Sequence, residues 1–185
     1  MLLAATQLAI SFAAAPAATI SVTYAAAAGT NVTGRAFIFL STEHGTEPRS
    51  LVGDDISTQQ VFGVDVVGLS NGAHATVDVS TLGYPVLSLE QVPDGEYTLQ
   101  AVIQPYHLYH LKGAPAVWLP RTEVNRFEGG DIFTSPGTFY SKPVKANFSS
   151  ASQISLVVDQ QDAPAPEPPP LPKDSKYIKH VSVTS

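Results

Sequence analysis

The chain has 185 residues, of which 44% are hydrophobic and 14% charged, with a formal net charge of −6 and no cysteine. That composition is globular rather than disordered and suits one domain. The missing cysteine excludes disulfides, thiolate nucleophiles and cysteine-ligated zinc or iron–sulfur sites. Residues 1–162 hold 7 Lys/Arg against 14 Asp/Glu, an acidic balance that repels phosphate backbones and excludes nucleic acid as a partner.

Residues 1–18, MLLAATQLAISFAAAPAA, read as a signal peptide, with an apolar stretch followed by Ala15-Pro16-Ala17 in the Ala-x-Ala arrangement that signal peptidase requires. The expectation is an exported protein, periplasmic or extracellular. Only the α-amino group supplies positive charge ahead of the apolar run, so an Ala-rich tail is the alternative. The run falls well short of the roughly 20 residues needed to cross a bilayer, and no stable membrane span is expected. Cleavage between Ala14 and Ala18 spares a strand that begins at Thr19, whereas cleavage at Ala26-Ala27-Ala28 removes it.

From residue 19 to 162 apolar residues recur with period two or in short continuous runs, and no window holds a helical period with caps. Strands are predicted at residues 19–24, 34–41 (GRAFIFLS), 61–69 (VFGVDVVGL), 74–79 (HATVDV), 96–104 (EYTLQAVIQ) and 153–159 (QISLVVD). Asn71-Gly72 favours a hairpin between the third and fourth of these, and Pro93-Asp94-Gly95 is a second turn. Tyr97, Leu99, Ala101 and Ile103 would share one face of their strand. The fold class is all-β, an antiparallel β-sandwich of immunoglobulin-like or transthyretin-like form, its strand order left open.

Residues 105–148 break this rhythm and read as a long irregular insertion holding Tyr106, Tyr109, Trp118, Phe127, Phe133, Phe139, Tyr140 and Phe148. Long loops in compact domains are functional or are packed by their own side chains. A satellite core is the plainer expectation. The sharper one is a ligand surface in which Tyr106, Tyr109, Trp118, Phe127 and Tyr140 stack on sugar rings or meet a neighbouring domain.

Motifs that suggest chemistry do not withstand their context. Gly68-Leu69-Ser70-Asn71-Gly72 spells the G-x-S-x-G nucleophile elbow, but an elbow needs a helix after the serine and an alternating strand follows here. His107 and His110 fall on opposite faces of an extended chain, so no metal site is expected from them. Asp54-Asp55 and Glu128-Gly129-Gly130-Asp131 lack the ligand ladder of a calcium loop and read as solvated turns. Glu43, Glu47 and Arg49 surround Pro48, where a local ion pair would add little if exposed. No catalytic residue, cofactor or metal is assigned.

After this domain comes a Pro-rich linker, residues 163–172 (APAPEPPPLP), and then residues 173–185, in which Tyr177-Ile178-Lys179-His180-Val181-Ser182-Val183 alternate like a first strand without a partner. Its P-x-x-P spacings also fit a docking ligand, though a spacer is the simpler reading. The succession GRAFIFLS, Glu47-Pro48-Arg49, FGVDV, STLGYP, GEYTLQAVI and SPGTFYSKP resembles the N-terminal region of exported proteins that continue into an esterase domain of the α/β-hydrolase class. The resemblance implies a hydrolase-like domain after the linker as partner, and it places no catalytic residue in this chain. The functional expectation is a non-catalytic accessory or scaffold domain, with a carbohydrate-binding or cell-surface polymer-binding module and a small stand-alone hydrolase as alternatives.

Overall fold

The computed structural model describes residues 16–25, 31–53, 55–120, 133–163 and 175–179, and over these the chain is all-β. Its strands are β1 (Thr19–Tyr24), β2 (Asn31–Ser41), β3 (Gln60–Ser70), β4 (His74–Val77), β5 (Gly83–Tyr84), β6 (Gly95–Tyr109), β7 (Val117–Pro120), β8 (Phe139–Ser141), β9 (Val144–Phe148) and β10 (Gln153–Gln161). Single 3₁₀ turns lie at Pro48–Ser50 and Leu89–Gln91. The hydrogen-bonded order is β4-β1-β10-β8-β6-β2-β3-β5, with β7 and β9 paired to β6 off that path.

Two expectations about pairing are corrected. β1 and β10 run parallel, in register from Thr19↔Gln153 to Tyr24↔Val158, so the sheet is mixed rather than antiparallel throughout. Alternation shows which side chains face inward; it carries no sign for the direction of a strand 134 residues away. Asn71-Gly72 does form a tight turn, with Gly72 at φ 83° and the Ala73 N–H donating to the Ser70 carbonyl at 2.9 Å. Yet β4 pairs with β1, not with β3, so the turn carries the chain across the domain instead of closing a hairpin.

One apolar cluster explains that crossing. It takes Ile20, Val22 and Tyr24 from β1, Val77 from β4, Leu156 and Val158 from β10, Ile38 and Leu40 from β2, and Phe62 from β3. Tyr97, Leu99, Ala101 and Ile103 of β6 enter the same cluster, on one face as expected. Strands from both ends of the path thus share one core, which requires the sheet to curl over itself.

The outer face of β2 and β6 is covered as well. Phe39, Val102 and Phe133 form a smaller cluster with Phe37, Val61 and Tyr140, and Phe133 meets Phe37 and Phe39 edge-on, each at 5.0 Å. From Tyr97 to Gln104, therefore, β6 is buried on both faces, where the sequence alternation suggested one. The stretch expected to be an irregular insertion supplies this cover, and its described residues include regular structure, the end of β6 and all of β7, β8 and β9. Phe148 joins the main core, and Phe139 packs edge-on against Tyr24 at 5.2 Å.

Gly34 sits where β6 leaves β2. A Cβ there would lie 2.0 Å from the Gln104 carbonyl oxygen and 3.0 Å from the Pro105 Cα, and neither backbone atom can swing away as a side chain can. Gly34→Ala must part the two central strands and should cost at least the ~1–3 kcal/mol of ordinary overpacking. Urea denaturation measures this as a lowered midpoint at unchanged slope.

Residues 175–179 are exposed and form a short turn in which the Ser175 N–H donates to the Ile178 carbonyl at 2.9 Å. The remainder of the strand expected at 173–185, the linker from residue 164 and the leader through residue 15 lie outside the described residues.

Candidate functional site

The last residues of β6 diverge from β2, whose first residues continue beside β3. Pro105 still pairs with Gly34, but from Tyr106 onward β6 pairs with β7, matching Tyr106↔Pro120, His107↔Leu119, Leu108↔Trp118 and Tyr109↔Val117. Val117, Trp118 and Leu119 suit a strand by propensity, and β7, paired with β6 alone among the described strands, is an edge strand, where Pro120 is tolerated. The connection closes at Leu111-Lys112-Gly113-Ala114. The Ala114 N–H donates to the Leu111 carbonyl at 3.2 Å, and Gly113 takes φ 78°, the positive angle that a type II turn requires of its third residue.

Period two sorts this hairpin into two faces. Tyr106, Leu108, Trp118 and Pro120 lie on one; His107, Tyr109, Val117 and Leu119 lie on the other. Both are apolar, and Leu108, Tyr109, Leu111, Val117, Trp118 and Leu119 are all exposed, Trp118 by 49%. A cluster of exposed apolar side chains of this kind makes the hairpin the candidate site. Tyr106, at the base, is half-buried beside the ion pair that Arg35 Nη1 makes with Asp65 Oδ1 at 2.7 Å. Burial pushes its phenol above the usual tyrosine value; the Asp65 charge adds to this and Arg35 partly offsets it. The hydroxyl therefore stays protonated across the physiological range.

The residues expected to form one ligand surface are thereby divided. Tyr106 and Trp118 share a face, diagonal to each other, while Tyr109 is on the opposite face. Tyr140 is in the outer cluster, its ring covered by the Arg49 guanidinium at 3.6 Å from the centroid. Phe127 lies outside the described residues.

Arg49 is the polar feature that the sequence undervalued. Its side chain is only 9% exposed; Nε donates to Glu47 Oε2 at 2.8 Å, and the two Nη atoms donate to the Asp162 carboxylate at 2.6 and 3.2 Å. Burial alone would lower its pKa, but the hydrogen bonds and charges of Asp162 and Glu47 outweigh that and hold it above the usual value. The Arg49 N–H donates to Gln100 Oε1 at 3.0 Å, and Gln100 Nε2 donates to the Ser141 carbonyl at 2.9 Å, so a fully buried amide joins the 3₁₀ turn, β6 and β8. Gln100 reads as a solvent-facing position in EYTLQAVIQ; only the cover from the second layer buries it. The local pair Glu47–Arg49 was legible, but its burial and the distant Asp162 were not.

Beside this network is a cleft of about 490 Å³ lined by Ser41, Thr42, Glu43, Ile56, Gln59 and Tyr97 among others. Gln59 Nε2 donates to the Pro48 carbonyl, which fixes the amide's orientation and leaves the buried Oε1 without a hydrogen-bond partner.

The chemical motifs occupy structural positions. Ser70 ends β3 and opens the turn toward β4, a strand–turn–strand setting. His107 lies within β6 and His110 just beyond it. Asp55 accepts from the Ser57 N–H at 2.7 Å and from its hydroxyl, and these bonds lower its carboxyl below the usual range; Asp54 and residues 128–131 lie outside the described residues. Among the described residues no three His, Asp or Glu side chains gather where they could hold a metal ion. Among them, too, no helix is long and apolar enough to cross a membrane. No protein-family model matches the chain, and neither the curated proteins nor the solved structures include a match.

Proposed function

We propose that this chain is a non-catalytic accessory domain that works by contact, with the β6–β7 hairpin as its contact element. The observation that carries the reading is that the hairpin gathers exposed apolar side chains on both of its faces. A two-stranded ribbon is marginal by itself, so anchorage by the preceding residues of β6, Gly95 to Pro105, buried in the body for most of their length, is what keeps it extended. The sheet doubled over one core supports a sandwich as the finer architecture. The leader composition of residues 1–18 supports export. The order of motifs that resembles the front part of exported esterase-class proteins supports a following hydrolase-like domain, from which a ten-residue linker of this composition would keep a distance of about 30 Å if extended as polyproline II.

The strand–turn–strand setting of Ser70 supports the non-catalytic part. The chain should hydrolyse p-nitrophenyl acetate no faster than buffer; turnover that Ser70→Ala abolishes would assign it to the hydrolases instead. A second reading, a glycan-binding module, is favoured by one observation: Tyr106 and Trp118 share a face beside the polar Arg35–Asp65 pair, an arrangement that suits stacking on a sugar ring with hydrogen bonds at its rim. Isothermal titration against a panel of soluble polysaccharides tests it, and absence of heat with all of them leaves the first reading.

A further inference from the structure

Resting on the reading of the hairpin as the contact element, we propose that residues 106–120 bind a lipid surface, seating in the headgroup interface of an anionic bilayer. The first argument is geometric. A sugar ring or a rigid protein groove covers one face of a ribbon and leaves the other in water, whereas here both faces carry exposed apolar side chains, Leu108 and Trp118 on one, Tyr109, Val117 and Leu119 on the other. A fluid interface wraps both faces at once.

The second argument is composition. Tyr and Trp with Leu and Val is the mixture that settles at the membrane–water boundary, where an amphipathic ring keeps its polar atom wet and its body in the acyl region. The depth is shallow. β7 has four residues, about 13 Å of extended chain, less than half of a hydrocarbon core about 30 Å thick. Lys112, exposed in the turn, then meets lipid phosphates instead of hydrocarbon.

The third argument is charge. The chain carries a net −6, yet residues 106–120 contain Lys112, His107 and His110 and no Asp or Glu. An anionic membrane therefore attracts the hairpin and repels the body, so the domain approaches hairpin first. A second copy of the chain is disfavoured as occupant on the same ground, because two bodies of net −6 repel each other.

Trp118 is the only tryptophan in the chain, so its emission reports on the hairpin directly. The full chain is mixed with vesicles of phosphatidylcholine alone and of phosphatidylcholine with phosphatidylglycerol, and emission and co-sedimentation are followed. The expected result is a blue shift and co-sedimentation with the anionic vesicles, reversed by about 0.5 M salt as the charges are screened. Lys112→Glu should weaken binding about tenfold, and Leu108→Thr with Leu119→Thr should abolish it while the thermal midpoint is kept. No shift and no co-sedimentation with either vesicle overturns the proposal. So does a blue shift that needs only higher protein concentration, which assigns a second copy, or one produced only by soluble oligosaccharide, which assigns a glycan. In those two cases the hairpin remains the contact element. If the double threonine variant instead unfolds, the hairpin is part of the core and the contact reading itself fails.

Discussion

A chain that begins at Gly29 is expected not to fold, whereas one that begins at Ala17 folds as the whole chain does. β1 stands between β10 and β4 and is hydrogen-bonded to both, so its loss leaves two unpaired edges facing the core. Ala18, Ile20, Val22 and Tyr24 are each no more than 1% exposed. Burial contributes roughly 1.5–3 kcal/mol for each of the larger three, against a net domain stability of about 5–15 kcal/mol, so the loss alone approaches the whole margin. Far-UV circular dichroism and a thermal scan decide it: the shorter chain should lack a cooperative transition. A cooperative melt from the chain beginning at Gly29 would show that β1 is an accessory to the sheet. The result also bears on processing, since cleavage at Ala26-Ala27-Ala28 would yield an unfolded product and cleavage near Ala17 would not.

The second large effect is expected at Arg49. An exposed ion pair contributes about 1 kcal/mol at most, and Glu47, with a side chain 45% exposed, belongs near that limit. The bond to Asp162 is different, because it is bidentate, only 9% and 19% of the two side chains are exposed, and the guanidinium also covers Tyr140. Arg49→Met removes the cation but leaves the carboxylates of Asp162 and Glu47 close together without it, which should cost about 3 kcal/mol, the lower end for a broken buried pair given their residual exposure. Arg49→Lys should recover less than half of that, since an ammonium neither spans both Asp162 oxygens nor stacks on a ring. Urea denaturation of Arg49→Met, Asp162→Asn and the double variant gives the coupling; a value under about 0.5 kcal/mol would mean that Arg49 behaves as a surface residue. The pair closes the end of β10, where the Asp162 N–H also donates to the Thr138 carbonyl and the Asp162 carbonyl accepts from the Gly137 N–H.

The strands of this domain were legible because they are half-buried and alternate. β1, β3, β4 and β10 lie within two residues of where the period-two pattern places them, and the face shared by Tyr97, Leu99, Ala101 and Ile103 is the core face. Alternation says nothing about partners, so neither the parallel β1–β10 pair nor the pairing of β4 with β1 had a signature. Two-sided burial was hidden for a related reason. Thr98, Gln100 and Gln104 look like the wet side of β6 until Phe133, Tyr140 and the Pro48–Ser50 turn are laid over it. The aromatic wealth of residues 105–148 was plain, but the split between core rings (Phe133, Phe139, Tyr140, Phe148) and hairpin residues (Tyr106, Tyr109, Trp118) depends on how far β6 continues beyond Gly34. Pro105 suggested that it stopped there.

The most direct test of the hairpin as a contact element outside the core is the thermal midpoint of the triple variant Leu108→Thr, Trp118→Thr, Leu119→Thr, in which β-branched residues keep the strand propensity and remove the apolar surface. Exposed positions away from packing tolerate substitution to within about 0.5 kcal/mol each, so the midpoint should stay within roughly 5 °C of the unaltered chain. A fall of more than roughly 10 °C would place these side chains in the packed core, and the hairpin would then be a structural element with no surface left to offer a partner.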